Sequence, residues 1–198
     1  MRNSTPIIYG LVLAGGASTR MQRDKAALLY HGKPQLRWTY DLLTNVCQRV
    51  FVSVRANQTQ DPVRAALPQI VDRLEERGPI AGIVAAQQAH PEVAWLVVAC
   101  DLPFLSRATL DHLLAHRDPA RCATAYRSSH DSLPEPLCAI YEPSARPAIE
   151  TYVAAGKNCP RKFLSSADAC LLDQPDPHSL DNVNTIEEHR AAARALGA

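Results

Sequence analysis

The most constraining feature of the chain is an unbroken apolar run, residues 7–13, that ends abruptly in Ala14, Gly15 and Gly16. A short continuous apolar stretch bounded by glycines predicts a strand buried on both faces, so the rest of the chain must supply cover above and below it. The glycines add a second constraint. Lacking a Cβ, they let the backbone approach a ligand closely and turn its N–H groups toward anionic oxygens. Ser18, Thr19, Arg20, Arg23 and Lys25 follow, and Arg20 and Lys25 are placed to neutralise a phosphate. The glycine spacing is not G-x-G-x-x-G and no Gly-Lys-Ser/Thr follows, which sets aside the dinucleotide fingerprint and the P-loop.

Downstream, helical and extended patterns alternate. Leu36, Tyr40, Leu43 and Cys47 recur at helical spacing after Gly32-Lys33-Pro34, residues 49–54 read as a second strand, and residues 63–67 predict a short helix. Ile70 and Val71 lead into Asp72, and Gly78-Pro79 punctuates the start of an alanine-rich helix reaching about His90. Residues 95–100 are another continuous apolar run, typical of a parallel strand covered on both faces, and they end at Asp101. Ser106 predicts a helix N-cap. Strands are expected at 123–127, 137–141 and 170–172, and helices at 143–155, 160–167 and 185–196, the last with a Thr185/Glu188 capping box.

Such alternation argues for a three-layer α/β sandwich, a mainly parallel central sheet with helices on both faces. Ligands of such sheets bind beyond the carboxyl ends of the strands. Gly15 and Gly16, Asp72 and Asp101 all fall at such ends. With 198 residues, 46% of them hydrophobic, one domain spanning residues 1–198 is expected.

A net charge of +1 offers no general attraction to nucleic acid or to an anionic membrane, so anion binding must be local. The six cysteines are scattered, with no C-x-x-C pair and no histidine at zinc-ligand spacing, and read as buried small hydrophobes of a reducing compartment. No apolar run approaches the roughly 18 residues of a membrane helix and no signal-peptide layout is present, so a cytoplasmic location is expected. His112 and His116, four apart on a helix, read as a packed or solvated pair. Residues 128–132 hold His130 and Asp131 without a nucleophile elbow.

Residues 13–25, Leu-Ala-Gly-Gly-x-Ser-x-Arg-Met-x-x-x-Lys, resemble the signature of nucleotidyltransferases that activate a phosphorylated substrate with a nucleoside triphosphate. The Gly-Gly form is most similar to the molybdenum cofactor guanylyltransferases, of the MobA type. Cys100-Asp101-Leu102-Pro103-Phe104 resembles that family's metal-binding segment. Asp72 with Gly78-Pro79-Ile80-Ala81-Gly82 resembles the segment that holds the base and ribose of GTP, and Asp181-Asn182-Val183-Asn184-Thr185 resembles its Asn-Val-Asn-Thr segment.

The resemblance implies a Rossmann-like fold and a Mg²⁺-dependent transfer of GMP from GTP to the molybdenum-molybdopterin cofactor. On it, Arg20, Lys25 and Asp101 are the catalytic candidates, with Asp101 the metal ligand. Leu13, Ala14, Gly15, Gly16, Lys25, Ser53, Asp72, Gly78, Pro79 and Asp101 are the nucleotide-binding candidates. Asn182, Asn184, Arg161 and Lys162 are placed on the acceptor side with the 134–139 stretch, and transient contact with cofactor-synthesis or acceptor enzymes is implied. Gln22 stands where the family usually has Gly, and Ser53 and Arg55 replace an expected Asn. These departures leave activation by a nucleoside triphosphate intact and the base open, so a cytidylyltransferase, a sugar-phosphate enzyme or a non-catalytic cofactor chaperone stay as alternatives.

Overall fold

A computed structural model of the chain describes residues 5–15, 24–74, 77–183 and 185–196. Its elements in chain order are β1 (Ile8–Leu13), β2 (Leu29–Tyr30), β3 (Lys33–Pro34), α1 (Gln35–Thr44), β4 (Arg49–Arg55), β5 (Gln69–Asp72), α2 (Pro79–Ala89) and β6 (Ala94–Ala99). There follow α3 (Arg107–Ala115), β7 (Ala123–Arg127), β8 (Pro134–Tyr141), α4 (Ala145–Ala154), α5 (Pro160–Ser166), β9 (Ala169–Leu172) and α6 (Ile186–Ala195). Seven strands form one sheet in the order β5-β4-β1-β6-β8-β7-β9, and β2 pairs with β3 in a small antiparallel hairpin. Strands β5, β4, β1 and β6 are mutually parallel.

β1 and β6 pair at the centre, in register from Ile8↔Ala94 to Leu13↔Ala99. Successive side chains of a strand point to opposite faces. Leu96, Val98 and Val12 thus join α1 and α3 through Leu36, Leu43, Leu110 and Leu113. Leu11, Trp95 and Val97 join α2, α4 and α5 through Ile80, Ile83, Ile149 and Phe163. Every residue of β6 is buried, as its unbroken apolar run requires. The layered α/β architecture expected from the sequence is the one observed.

Three local departures have physical causes. β8 runs antiparallel to both β6 and β7, because the polar turn at 128–133 is too short for a parallel crossover. Residues 62–66 form turns instead of the expected helix. Five residues make an unstable helix on their own, and here the segment wraps around the buried Arg64 side chain. Helix α4 starts at Ala145, two residues beyond Pro143. Elsewhere caps fall where the sequence places them: Ser106 Oγ accepts from Thr109 N, and Thr185 with Glu188 makes the reciprocal capping box.

Thiol chemistry is suppressed by this packing. Burial pushes the Cys47, Cys100 and Cys138 thiols each up to about 12, so they stay protonated and act as small apolar side chains. All six cysteines are free. Among the described residues no helix is long and apolar enough to cross a membrane.

Candidate active site

The carboxyl ends of β1, β4, β5 and β6 lie on one edge of the sheet and bring distant polar residues together. The β4–β5 register places Ser53 and Arg55 beside the end of β5, and the Ser53 hydroxyl donates to Asp72 Oδ1 at 2.7 Å. Ser53 is itself buried. Its place is therefore behind Asp72, orienting that carboxylate. Burial raises the pKa of Asp72, against the lowering influence of Ser53 and Arg55. Gly15 packs directly on the same group, since a Cβ there would lie 3.3 Å from Asp72 Oδ2.

Two further glycines fix how α2 meets this edge. Gly78 has φ 66°, a left-handed conformation that favours glycine, and turns the chain into Pro79 at the first helical position. A Cβ on Gly82 would fall 2.3 Å from Ser53 Oγ and 2.8 Å from Leu13 Cδ2. The Gly-Pro-Ile-Ala-Gly segment is thus what lets a helix start lie against the ends of β1 and β4.

The glycine-rich segment after β1 is described at its two ends only. Gly16 and Arg20 fall outside the described residues, with the rest of 16–23. Its flanks are joined by Arg64, which sequence reasoning missed. The Arg64 guanidinium is 1% exposed and donates to Ala14 O at 3.1 and 2.8 Å, to Asp24 at 2.5 and 2.9 Å and to Asp61 at 2.9 Å. Asp24 in turn caps the 3-10 turn Lys25–Ala27, accepting from Ala26 N. One side chain therefore sets the spacing between the end of β1 and Lys25. Sequence reasoning missed Asp24 as well, although its place beside Lys25 was a signal, whereas Arg64 had no local signal.

Lys25 Nζ lies 2.9 Å from Asp101 Oδ2, with both side chains about one-fifth exposed. The turn carrying Asp101 is held from several sides. Val183 N donates to Asp101 O, Gln35 Nε2 donates to Leu102 O, and the His31 ring bonds Pro103 O. The segment between Asn182 and the undescribed Asn184 is thereby tied to the aspartate that the sequence singled out.

On the other side of Asp101 a cavity of about 230 Å³ is lined by Pro79, Leu102, Glu135, Leu137, Arg161 and Asn182, among others. Arg161 does not project freely into it. Its Nη2 donates to both oxygens of Glu135, at 3.1 and 3.0 Å, and its Nη1 to Asp131 at 2.9 Å. Lys162, next along α5, is exposed and is not part of the lining. The structure thus gathers Gly15, Asp72, Lys25, Asp101, Arg161 and Asn182 along one sheet edge, while Lys162 stands apart. Among the described residues no group of three or more His, Cys, Asp or Glu could cage a metal alone. His112 and His116 instead make bonds to Tyr126 and to the helix backbone.

A family model described as the MobA-like NTP transferase domain matches residues 10–170. The chain belongs to this MobA-like family. It is 38% identical over 187 residues to the molybdenum cofactor biosynthesis bifunctional protein of Synechocystis, covering 94% of the present chain. The chain spans about half, 54%, of that relative's length. A probable molybdenum cofactor guanylyltransferase of Mycobacterium avium is 32% identical, the match covering 95% of the present chain and 96% of the relative.

Among solved structures, molybdopterin-guanine dinucleotide biosynthesis protein A of Archaeoglobus fulgidus matches with a TM-score of 0.79 and 22% identity, covering 96% of this chain and 98% of that one. Rv0371c of Mycobacterium tuberculosis, solved in complex with manganese, matches with a TM-score of 0.66 and 20% identity, covering 96% of this chain and 99% of that one. These structural matches show the shared MobA-like fold, and the family model adds that the chain is a nucleotidyltransferase.

Proposed function

We propose that this MobA-like nucleotidyltransferase transfers GMP from GTP to the terminal phosphate of a molybdenum-bearing pterin, residues 1–198 acting as one domain. The observation that carries the reading is the Lys25–Asp101 pair, which stands between a nucleotide side at Gly15, Asp72 and Gly78–Gly82 and the cavity reaching Arg161 and Asn182. The names of the Synechocystis and Mycobacterium avium relatives support the choice of acceptor and base. Manganese in the Rv0371c structure supports use of a divalent cation.

An acceptor phosphate oxygen attacks the α-phosphorus of the triphosphate in line. As that bond forms, the bond from the α-phosphorus to the α,β-bridging oxygen breaks, and pyrophosphate leaves with its electron pair. No protein nucleophile is required, so positioning and charge neutralisation carry the rate. Lys25 neutralises the developing negative charge, and Arg64 keeps Lys25 and Ala14 at fixed separation. Gly15 brings backbone close to the phosphates.

The donor set suits Mg²⁺, which commonly takes one or two carboxylates and completes its shell with substrate phosphates and water. Asp101 would hold it, and when bound it would polarise the phosphate oxygens and offset their charge. Arg161, already fixed by Glu135 and Asp131, presents its guanidinium at the cavity wall to the acceptor phosphate, with Asn182 beside it.

The reaction would take place in the cytoplasm. Extra chain in the bifunctional relative supports transient contact with other cofactor enzymes.

Purified protein with Mg²⁺ and molybdopterin should release pyrophosphate from GTP in preference to ATP, CTP and UTP. Asp101→Asn should lower that rate on the order of 10²–10³-fold. A preference for CTP overturns the guanine assignment, turnover with a sugar phosphate but not molybdopterin overturns the acceptor, and nucleotide binding without turnover supports a non-catalytic carrier.

A further inference from the structure

The polar turn between β7 and β8, residues 128–133, closes on itself before it touches anything else. Ser128 N donates to Leu133 O at 2.8 Å, His130 N to Ser128 Oγ at 3.4 Å and Leu133 N to Asp131 Oδ1 at 3.1 Å, with Ser132 in the left-handed region at φ 60°. Its backbone is therefore set locally, and its outward side chains start from fixed positions.

Three successive side chains leave this turn, and each ends on a neighbouring segment. Ser129 Oγ donates to Pro177 O at 2.9 Å. His130 Nε2 donates to Asp181 Oδ1 at 3.1 Å, while His178 Nδ1 holds the other oxygen of Asp181 at 2.9 Å. Asp131 Oδ2 accepts from Arg161 Nη1 at 2.9 Å. Ser129 and His130 thus hold the segment that carries Leu180 and Asn182, and Asp131 holds the start of α5 with Pro160 and Arg161. Both segments line the cavity of about 230 Å³. One short turn is a shared footing for two of its walls.

The His130 side chain is 74% exposed and that of Asp131 43%. Exposed pairs add little to stability, so stability does not account for three in a row converging on this cavity. Geometry does. Asn182 follows Asp181 directly and Val183 N donates to Asp101 O, so a shift at Asp181 passes both to the cavity lining and to the turn of Asp101. Arg161 has Glu135 bonded to one terminal nitrogen and Asp131 to the other, which fixes the plane of its guanidinium.

We infer that His130 and Asp131 are positioning residues for the acceptor. Asp131 fixes the guanidinium of Arg161, and His130, through Asp181, fixes Asn182, so that both side chains meet the acceptor in one preset arrangement. The inference rests on the reading of this cavity as the acceptor's side.

Asp131→Asn removes the charge that holds Arg161 and keeps an oxygen for Leu133 N. His130→Ala cuts the link to Asp181, and His130→Gln offers a donor of similar reach in its place. Each variant should melt within about 3 °C of the parent, because only exposed pairs are lost. With pyrophosphate release as the assay, Asp131→Asn and His130→Ala should each raise the KM for molybdopterin about threefold to fivefold, and the double variant about tenfold. Neither kcat nor the KM for GTP should move by more than about twofold. His130→Gln should recover most of the loss. An acceptor KM within about twofold of the parent in the double variant overturns the inference. So does a joint change of melting temperature, kcat and both KM values, which would make the turn a structural element only. If the parent turns over GTP with a sugar phosphate and not with molybdopterin, the acceptor reading alone falls, and the same variants judge the inference through the KM for that sugar phosphate. A parent that transfers to neither overturns both.

Discussion

Two buried arginines stand at opposite ends of the sheet and show how the same chemistry serves different ends. Arg117, at the amino end of β6, makes a two-bond fork to Glu142 at 2.6 and 2.8 Å and donates to Pro6 O, and Glu142 is 1% exposed. Arg64, at the carboxyl end of β1, grips Ala14 O, Asp24 and Asp61, and those two carboxylates are about one-third exposed. The first pair is sealed and joins scaffold to scaffold. The second faces outward through its carboxylates and joins the two flanks of the glycine-rich segment after β1. Burial of both partners makes a pair essential to stability, while burial of one makes it a positioning device.

The comparison breaks most visibly at Arg117. Arg117→Met leaves Glu142 buried without its countercharge, and losing one partner of a sealed pair costs about 3–5 kcal/mol. Urea unfolding should show that loss, while GTP turnover well below the melting temperature stays unchanged. Adding Glu142→Leu removes the orphaned charge and should recover part of the stability. A turnover loss without a stability loss would erase the distinction between the two ends.

At Arg64 the expected cost to folding is smaller and the cost to function larger. Arg64→Met strips Ala14 O of its donors, but Asp24 and Asp61 can turn to water. Charged hydrogen bonds of this kind contribute about 1.5–3 kcal/mol. With Lys25 no longer spaced from Ala14, the KM for GTP should rise about tenfold with a lesser change in kcat. Arg64→Lys restores the charge without the planar fork and should recover only part of it. Steady-state kinetics beside urea unfolding decide the matter, and a purely structural Arg64 would leave KM unchanged.

The sequence made the central strands legible because strands buried on both faces must be written as unbroken apolar runs, as in β1 and β6. Asp101 and Asp72 were legible because polar residues that end such runs emerge at the sheet edge. What escaped depends on partners far along the chain. Arg64 reaches Asp24 across 40 residues and Ala14 across 50, and no periodicity reports a buried charge. Arg161 was visible as a cation near the acceptor side, but its commitment to Glu135 was not. The reversal of β8 was hidden for a different reason: apolar patterning is the same in either direction, and only the shortness of the turn at 128–133 decides it. Gln22 lies outside the described residues.

The finest distinction between the two arginines is electrostatic. Burial alone would raise the pKa of Asp24, but the hydrogen bond and charge of Arg64, helped by Ala26 N–H, outweigh it and hold the carboxyl below its usual 3.8. A depressed carboxyl contributes stability above its unfolded pKa and loses it as pH falls through the folded value. Unfolding free energy should therefore decline below about pH 4 from this group. Asp72 works the other way. Its raised pKa favours the protonated form, so stability from that group increases as pH falls through its folded value toward 3.8. Without Arg64, Asp24 loses the hydrogen bond and the charge that lower its pKa, so the acid loss attributable to Asp24 should shrink. Urea unfolding between pH 3 and pH 6 measures this as the difference between parent and Arg64→Met. The same difference taken with Arg117→Met should leave the Asp24 contribution in place, because that arginine is at the far end of the sheet. Equal acid slopes in the parent and Arg64→Met would show that the outward-facing clamp is as electrostatically inert as a surface pair.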